Sequence, residues 1–363
     1  MREPFDLKII VEPLLQWFAG HARSLPWRQR PEPYRVWVSE IMLQQTRVEA
    51  VKPYYERFMS ALPDVKSLAE CPEEELLKLW EGLGYYNRVR NMQCAAQQVC
   101  TEYGGQLPAD YEALQKLKGI GHYTAGAIAS IAYGIAVPAV DGNVLRVISR
   151  VTADDGDIMK QKVRVAMEND LTEIIPADAA GAFNQALMEL GATVCLPNGE
   201  PLCEECPWRS FCRARQQGRI GELPVKSRAK PRKVEERTVL IIRAEDKVML
   251  RRRPPRGLLA GLYELPNLSG HLTMEEAVEY AKEQGLHPLR ICPLREAKHI
   301  FSHIEWRMIG YSIIIDETEG DYGDLLFVSV EETEARYPIP AAFSAYAQYL
   351  KLRLGNEKYK DLR

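Results

Sequence analysis

Two acidic side chains stand where a carboxyl group could do chemistry. Glu40, in VSEIMLQQT, shares the face of a helical run with Val36 and Leu43, so desolvation there would raise its pKa. A solvated glutamate at the edge of that stripe would look the same in sequence. Asp141, in VDGNV, precedes an amphipathic run of Val144, Leu145, Val147 and Ile148. That is the place of an ordinary N-cap, and also of a carboxylate kept ionised by a helix N-terminus. Upstream, Gly119-Ile120-Gly121 makes a tight hairpin into a helix rich in small residues, Thr124 to Ala132. Such a hairpin leaves backbone N–H groups free to cradle a phosphate. Four cysteines follow in C-x7-C-x2-C-x5-C spacing: Cys195, Cys203, Cys206 and Cys212. In a reducing compartment they imply a metal rather than disulfides. Zinc and a [4Fe–4S] cluster both remain open, and the single C-x-x-C knuckle favours the cluster.

The elements that must position these groups change character along the chain. The 363 residues and 41.3 kDa allow two domains, each with its own core. A net charge of −3 excludes a chain coated in basic residues, so contact with nucleic acid must come from local patches. No run is long and apolar enough for a membrane span, and the N-terminus lacks a signal-peptide core. Helical patterns predict an amphipathic helix through Ile10, Leu14, Trp17 and Phe18, a new helix near Tyr34, and further helices over Val48–Leu62, Glu73–Trp80, Met92–Tyr103 and Tyr111–Lys118. Gln44, Gln45 and Thr46 form a polar cluster suited to base edges or sugar–phosphate. Gly82-Leu83-Gly84-Tyr85-Tyr86, followed by Arg88 and Arg90, reads either as an aromatic wedge for a base stack or as a turn with core tyrosines. Arg209, Arg213 and Arg215 suggest a phosphate-facing rim beside the cysteines. The remaining thiols, Cys71, Cys94, Cys100 and Cys292, read as reduced and buried.

Residues 224–236 form a basic, proline-bearing linker, and no strand signal precedes them. Beyond it a hairpin is expected from Val239–Arg243 and Val248–Arg252 around Glu245-Asp246. Thr273 with Glu276 is a capping box opening a helix whose buried face is Met274, Ala277, Val278 and Ala281. Strands follow around Phe301–Ile315 and Leu325–Val330. The first half is therefore expected to be all-α and the second a compact α+β domain.

LKGIGHYTA followed by VDGNV resembles the helix-hairpin-helix DNA glycosylases of the endonuclease III superfamily, whose iron–sulfur cysteines share the x2 and x5 gaps. The first gap here is one residue longer than usual, at Leu196–Leu202. The segment from Gly257 to Pro266, GLLAGLYELP, resembles the start of a Nudix domain. That family's run of arginine and paired glutamates for magnesium is missing, which argues against diphosphohydrolase activity. A magnesium-stripped Nudix-like domain joined to such a helical half is similar to the adenine DNA glycosylases, the MutY family.

The resemblance implies an iron–sulfur helical domain over 1–29 and 136–223, a six-helix hairpin domain over 30–135, and a recognition domain over 237–355. It implies base-excision repair on double-stranded DNA with adenine mispaired with 8-oxoguanine, by a monomer of the bacterial cytoplasm, with a [4Fe–4S] cluster on the four cysteines. Glu40 would protonate adenine at N7 and later activate water, and Asp141 would stabilise or transiently bond the sugar cation, with Tyr123 and Asn143 in support. Trp27, Arg28 and Gln185 match the adenine pocket; Lys118, Gly119 and Gly121 match the grip on the DNA backbone. Phe301, Ser302 and His303, with Leu83, Tyr85, Gln45 and Thr46, match the reader of 8-oxoguanine. Tyr123 stands where strand-nicking relatives carry a lysine nucleophile, so hydrolysis without strand cleavage is expected. A pyrimidine-specific glycosylase–lyase or a non-catalytic DNA-binding module are the rival classes.

Overall fold

The computed structural model describes residues 5–227, 231–316 and 322–354. By packing, the chain divides into two compact units: Met1–Glu70 with Asn91–Arg228, and Cys71–Arg90 with Ala229–Arg363.

Helices occupy the first two thirds of the chain in order: α1 (Val11–His21), α2 (Pro26–Gln29), α3 (Pro33–Leu43), α4 (Val48–Ala61), α5 (Val65–Glu70), α6 (Glu73–Leu79), α7 (Asn87–Glu102), α8 (Tyr111–Lys116), α9 (His122–Tyr133), α10 (Gly142–Thr152), α11 (Gln161–Thr172), α12 (Ala180–Thr193) and α13 (Arg213–Gln216). Proline at the start of α2 and of α3 sets the helical φ where no N–H is needed. From Val36 to Met42, α3 is buried on every side, as a helix in the middle of a bundle must be. Glu40 is carried into the interior by that surround.

The core beside it gathers Ile10, Leu14 and Trp17 with Val144, Leu145 and Ile148 of α10 and Phe183, Leu187 and Leu190 of α12. Each such side chain contributes about 1.5–3 kcal/mol on burial. Two glycines let backbones meet inside this unit. A Cβ on Gly126 of α9 would strike the carbonyl of Pro138, and one on Gly191 of α12 would lie 2.6 Å from Asn143 Cβ. Asn184 completes the clamp. Its Oδ1 accepts from Ala139 N at 3.0 Å, and its Nδ2 donates to Ser130 Oγ at 2.8 Å and Val137 O at 2.9 Å. The extended stretch that delivers Asp141 is thereby fixed between α9 and α12.

The second unit is built on a seven-stranded sheet: β1 (Lys233–Ala244), β2 (Lys247–Arg252), β3 (Tyr263–Glu264), β4 (Asn267–Ser269), β5 (Pro288–Ile300), β6 (Ile304–Ile315) and β7 (Leu325–Ser329). The order is β3-β2-β1-β6-β5, with β4 on β1 and β7 on β2; β1 and β6 run parallel and the other pairs antiparallel. Successive β1 residues face opposite sides. Val239 and Ile241 join a cluster with Trp306, Phe343 and Tyr346, while Leu240 and Ile242 join one with Ala277 and Ala281 of α14 (Met274–Glu283). The expected capping box of Thr273 and Glu276 opens α14.

Several expectations are corrected. β1 begins at Lys233, inside the stretch read as linker, because it pairs with β6 from its first residue. β5 has no counterpart among the expected strands, and Phe301-Ser302-His303 is the loop joining it to β6 rather than a strand. Met274, in the first turn of α14, is exposed. Cys94 is exposed and Cys100 and Cys292 are half-buried; only Cys71 of that set is buried.

Residues 71–90, helical and remote in sequence, belong with the C-terminal sheet. Lys78 Nζ donates to Thr333 O at 3.2 Å and Tyr337 O at 2.8 Å. Glu81 accepts from Ile339 N at 2.8 Å, and Arg90 Nη2 donates to Ala260 O at 2.7 Å.

Candidate active site

Within the helical unit, α2, α3, α9, α10 and α12 enclose a cavity of about 700 Å³. Trp27, Arg28, Glu40, Gln45, Thr46, Tyr123, Asp141, Asn143 and Gln185 all line it. Scattered over more than 150 positions in sequence, these nine come to one hollow in the fold.

Glu40 is 6% exposed, which rejects the solvated reading. A neutral group bonds it: the Tyr123 hydroxyl donates to Glu40 Oε2. Burial, further raised by the nearby Asp141 charge and opposed by Tyr123 and Arg28, pushes the Glu40 carboxyl up to about 7. Asp141 caps α10 by accepting Val144 N at 2.8 Å on Oδ1, and its Oδ2 accepts Asn143 Nδ2 at 2.7 Å. Burial raises this carboxyl too, and the two N–H bonds with Arg146 pull it back only partly. The helix N-terminus therefore does not hold it as low as the sequence suggested.

Three residues that the spacing of motifs does not reveal complete the wall. Arg146 Nη2 donates to Asn143 Oδ1 at 2.8 Å and Gly191 O at 2.7 Å, and its Nε to Cys195 O at 2.8 Å. Glu189 holds Arg23 and Arg28. Lys226, in the stretch read as linker, also lines the cavity; Val225 O and Ser227 N next to it are bonded to Ile158 N and Asp157 Oδ1. Glu189 is the one charged residue of α12, AGAFNQALMELGAT, and that was the available signal.

At the hairpin, Gly119 has φ +78 and its missing Cβ makes room for Asn91, while Gly121 is the N-cap of α9. Lys118, Gly119 and Gly121 are exposed. The four cysteines line a separate apolar cavity with Arg150 and Ile220. Arg150 Nη1 donates to Cys195 Sγ at 3.3 Å. Burial, then the neighbouring thiols, pushes Cys206 up to about 12. Among the described residues no three His, Cys, Asp or Glu side chains close on a single ion. The expected arginine rim is partly neutralised, since Arg209 and Arg215 both pair with Glu204.

In the C-terminal unit, Ser302 Oγ lies 3.0 Å from Tyr85 OH. Phe301 packs edge-on against Trp306 and His299. Tyr85 is exposed and sits at φ +48, whereas Leu83 is buried. Arg88 stacks on both Trp80 and Tyr85 at 5.4 Å and donates to Leu83 O at 2.9 Å. Glu264 is bound by Arg251, Arg253 and Asn267. No helix among the described residues is long and apolar enough to cross a membrane.

Residues 38–173 match the HhH-GPD superfamily of base excision DNA repair proteins, and residues 237–349 match the NUDIX domain. A thermostable thymine-DNA glycosylase superposes with a TM-score of 0.52 at 27% identity, covering 58% of this chain and 96% of that one. Endonuclease III bound to DNA shares the fold at a TM-score of 0.51 and 24% identity, covering 58% and 96%. The helical unit is thus that of a base-excision DNA glycosylase, here joined to a Nudix-like α+β domain. The adenine DNA glycosylase of Mus musculus is 37% identical over 374 residues, 86% of this chain and 72% of the mouse protein. That of Homo sapiens is 36% identical (84% and 66%), and that of Buchnera aphidicola subsp. Acyrthosiphon pisum 33% identical (81% and 83%). The chain belongs to the adenine DNA glycosylase family. It is a hydrolase of N-glycosyl bonds that removes adenine from DNA.

Proposed function

We propose that the adenine removed is one mispaired with 8-oxoguanine or guanine, and that removal is hydrolytic, without strand cleavage. The observation that carries the chemistry is a pair of unlike carboxyl groups facing one cavity, one of them poised near neutral pH. The target nucleotide must leave the stack to reach it. Glu40, protonated, delivers its proton to adenine N7. The C1′–N9 bond then breaks with its electron pair going to the purine. Asp141 stabilises the oxocarbenium-like sugar. Glu40, now a carboxylate, takes a proton from the water that adds to C1′, leaving adenine and an abasic site. Tyr123, donating to Oε2, leaves Oε1 to face the purine; Asn143 holds Asp141 Oδ2. Trp27 and Arg28 form the purine wall, and Gln185 of α12, whose Nε2 donates to Gly181 O at 3.3 Å, lines the same cavity.

Lys118 and the Gly119–Gly121 hairpin would hold the backbone phosphates. Ser302, carried with Tyr85 on one unit, would read 8-oxoguanine together with Phe301 and His303. Gln45, exposed at φ +60 on the cavity rim with Thr46, supports a contact to the opposite base, since strain at a non-glycine position marks functional sites. Leu83, being buried, would back Tyr85.

Cys195, Cys203, Cys206 and Cys212 fit a [4Fe–4S] cluster: the four thiols line one small cavity, where Arg150 Nη1 donates to Cys195 Sγ. When bound, the cluster supplies a covalent cross-link of the chain at four positions.

The experiment uses duplexes bearing A opposite 8-oxoguanine, A opposite G, and thymine glycol, each with and without alkali. Strand breaks are expected only after alkali, fastest for A opposite 8-oxoguanine. Excision of thymine glycol, or nicking through a borohydride-trappable imine, would overturn the reading.

A further inference from the structure

Arg28 is held at the cavity wall by three groups at once. Its Nη2 donates to Glu189 Oε2 at 2.8 Å, its Nη1 donates to Arg23 O at 3.1 Å, and its guanidinium carbon lies 5.4 Å from the Phe18 ring centre. Glu189 is 1% exposed against 17% for Arg28. Its other bonds come from Arg23: backbone N at 3.0 Å and Nε at 2.7 Å on Oε1, and Nη2 at 3.0 Å on Oε2. Both carboxylate oxygens are therefore committed. Burial pushes the Glu189 carboxyl up, but the Arg23 and Arg28 bonds outweigh it and hold the group below the usual range. Glu189 stays an anion and has no oxygen to spare for substrate.

We propose that Glu189 is a positioning residue for adenine removal, acting through Arg28, an inference that rests on the reading of Arg28 as part of the purine wall. A guanidinium carries five N–H donors in one plane. Two are committed to Glu189 and to Arg23 O, which fixes the plane and leaves three for the purine's lone pairs or bridging water. An untethered Arg28 would have two other carboxyl groups within the same cavity to turn to, Glu40 and Asp141. Pairing with Glu40 would hold that residue ionised and remove the acid. Glu189 prevents this by offering Arg28 a better-matched anion. Gln185 lies one turn earlier on α12, so the same helix sets the purine wall twice.

The test is a double-mutant cycle in the full-length protein on a duplex with A opposite 8-oxoguanine. Glu189→Gln, Arg28→Gln and the double variant are compared with the parent. Single-turnover rates at varied enzyme concentration separate the chemical step from apparent duplex affinity. Each single variant is expected to slow the chemical step tenfold or more, with affinity within threefold of the parent. The double variant is expected to be no more than threefold slower than Arg28→Gln. Glu189→Asp keeps the charge one methylene short and gives a second route should Glu189→Gln not fold. An intermediate loss is expected, vanishing in the Arg28→Gln background. Losses that multiply, a loss confined to affinity, or a Glu189→Gln rate within twofold of the parent while Arg28→Gln is slow, each overturn the proposal alone. An Arg28→Gln variant with the parent's rate and affinity overturns the purine-wall reading and the proposal with it.

Discussion

Two nearly buried glutamates, one in each unit, show what separates a carboxylate that builds a fold from one fitted for chemistry. Glu264, on β3, is 1% exposed, and its oxygens are taken up by Arg251 at 2.8 Å, by Arg253, and by Asn267 at 2.8 Å. Glu40, on α3, is 6% exposed, and its hydroxyl partner, Tyr123, carries no charge. The first has its charge compensated where it sits. The second is left able to hold a proton at neutral pH, with its carboxyl near 7. Burial is common to both; the missing counter-charge makes the difference.

The largest effects should come from breaking the Glu40 side of that contrast. Glu40→Gln is expected to slow single-turnover adenine release by about 10²–10⁴-fold. Asp141→Asn is expected to slow it by about 10²–10³-fold while changing stability by less than about 1 kcal/mol, because asparagine caps a helix as well as aspartate does. A parent-like rate in either variant would end the two-carboxylate mechanism. Glu264→Gln should do the reverse. It leaves two arginines without their anion and should destabilise the C-terminal unit by about 3 kcal/mol, read as a lowered calorimetric transition, with the chemical step of folded enzyme unchanged.

Protonation sharpens the comparison. Because Glu40 must carry a proton to act as an acid, the rate should fall as pH rises through about 7, tenfold per unit once ionised. A flat profile from pH 6 to 9 would contradict this. Stability follows the same sign. The folded pKa lies above the unfolded value of 4.5, so burial of neutral Glu40 costs little below 4.5, and the penalty grows as pH rises towards 7. Glu40→Gln should therefore match the parent near pH 4 and exceed it by up to about 3 kcal/mol at pH 8. Denaturant titrations at both pH values check it. The smallest effect expected is on recognition: Ser302→Ala with His303→Ala should reduce the preference for A opposite 8-oxoguanine over A opposite G by about tenfold, about 1.4 kcal/mol.

What could be read in the sequence was what local spacing encodes. Glu40 on an apolar helix face, the glycine hairpin, Asp141 before α10 and the four cysteines all announce themselves within a turn or two of chain. The Glu189 clamp did not, because its partners lie more than 160 residues away, and nothing near Glu189 implies arginine. Arg146 was hidden likewise: its partners include the carbonyls of Gly191 and Cys195, which any sequence supplies. β5 escaped because none of its residues is buried, so its pattern has little hydrophobic contrast, and the β1–β6 pairing because parallel neighbours need no turn between them.

The allegiance of residues 71–90 reaches into how this chain can be dissected. A protein cut at the basic stretch near residue 227 would keep that segment while losing the carbonyls of Ala260, Thr333 and Tyr337 and the amide of Ile339 that tie it down. Tyr85 would lose Ser302 in the same stroke. Limited proteolysis or truncation at the obvious boundary thus yields no clean helical half, but one whose 71–90 segment has come loose from its moorings.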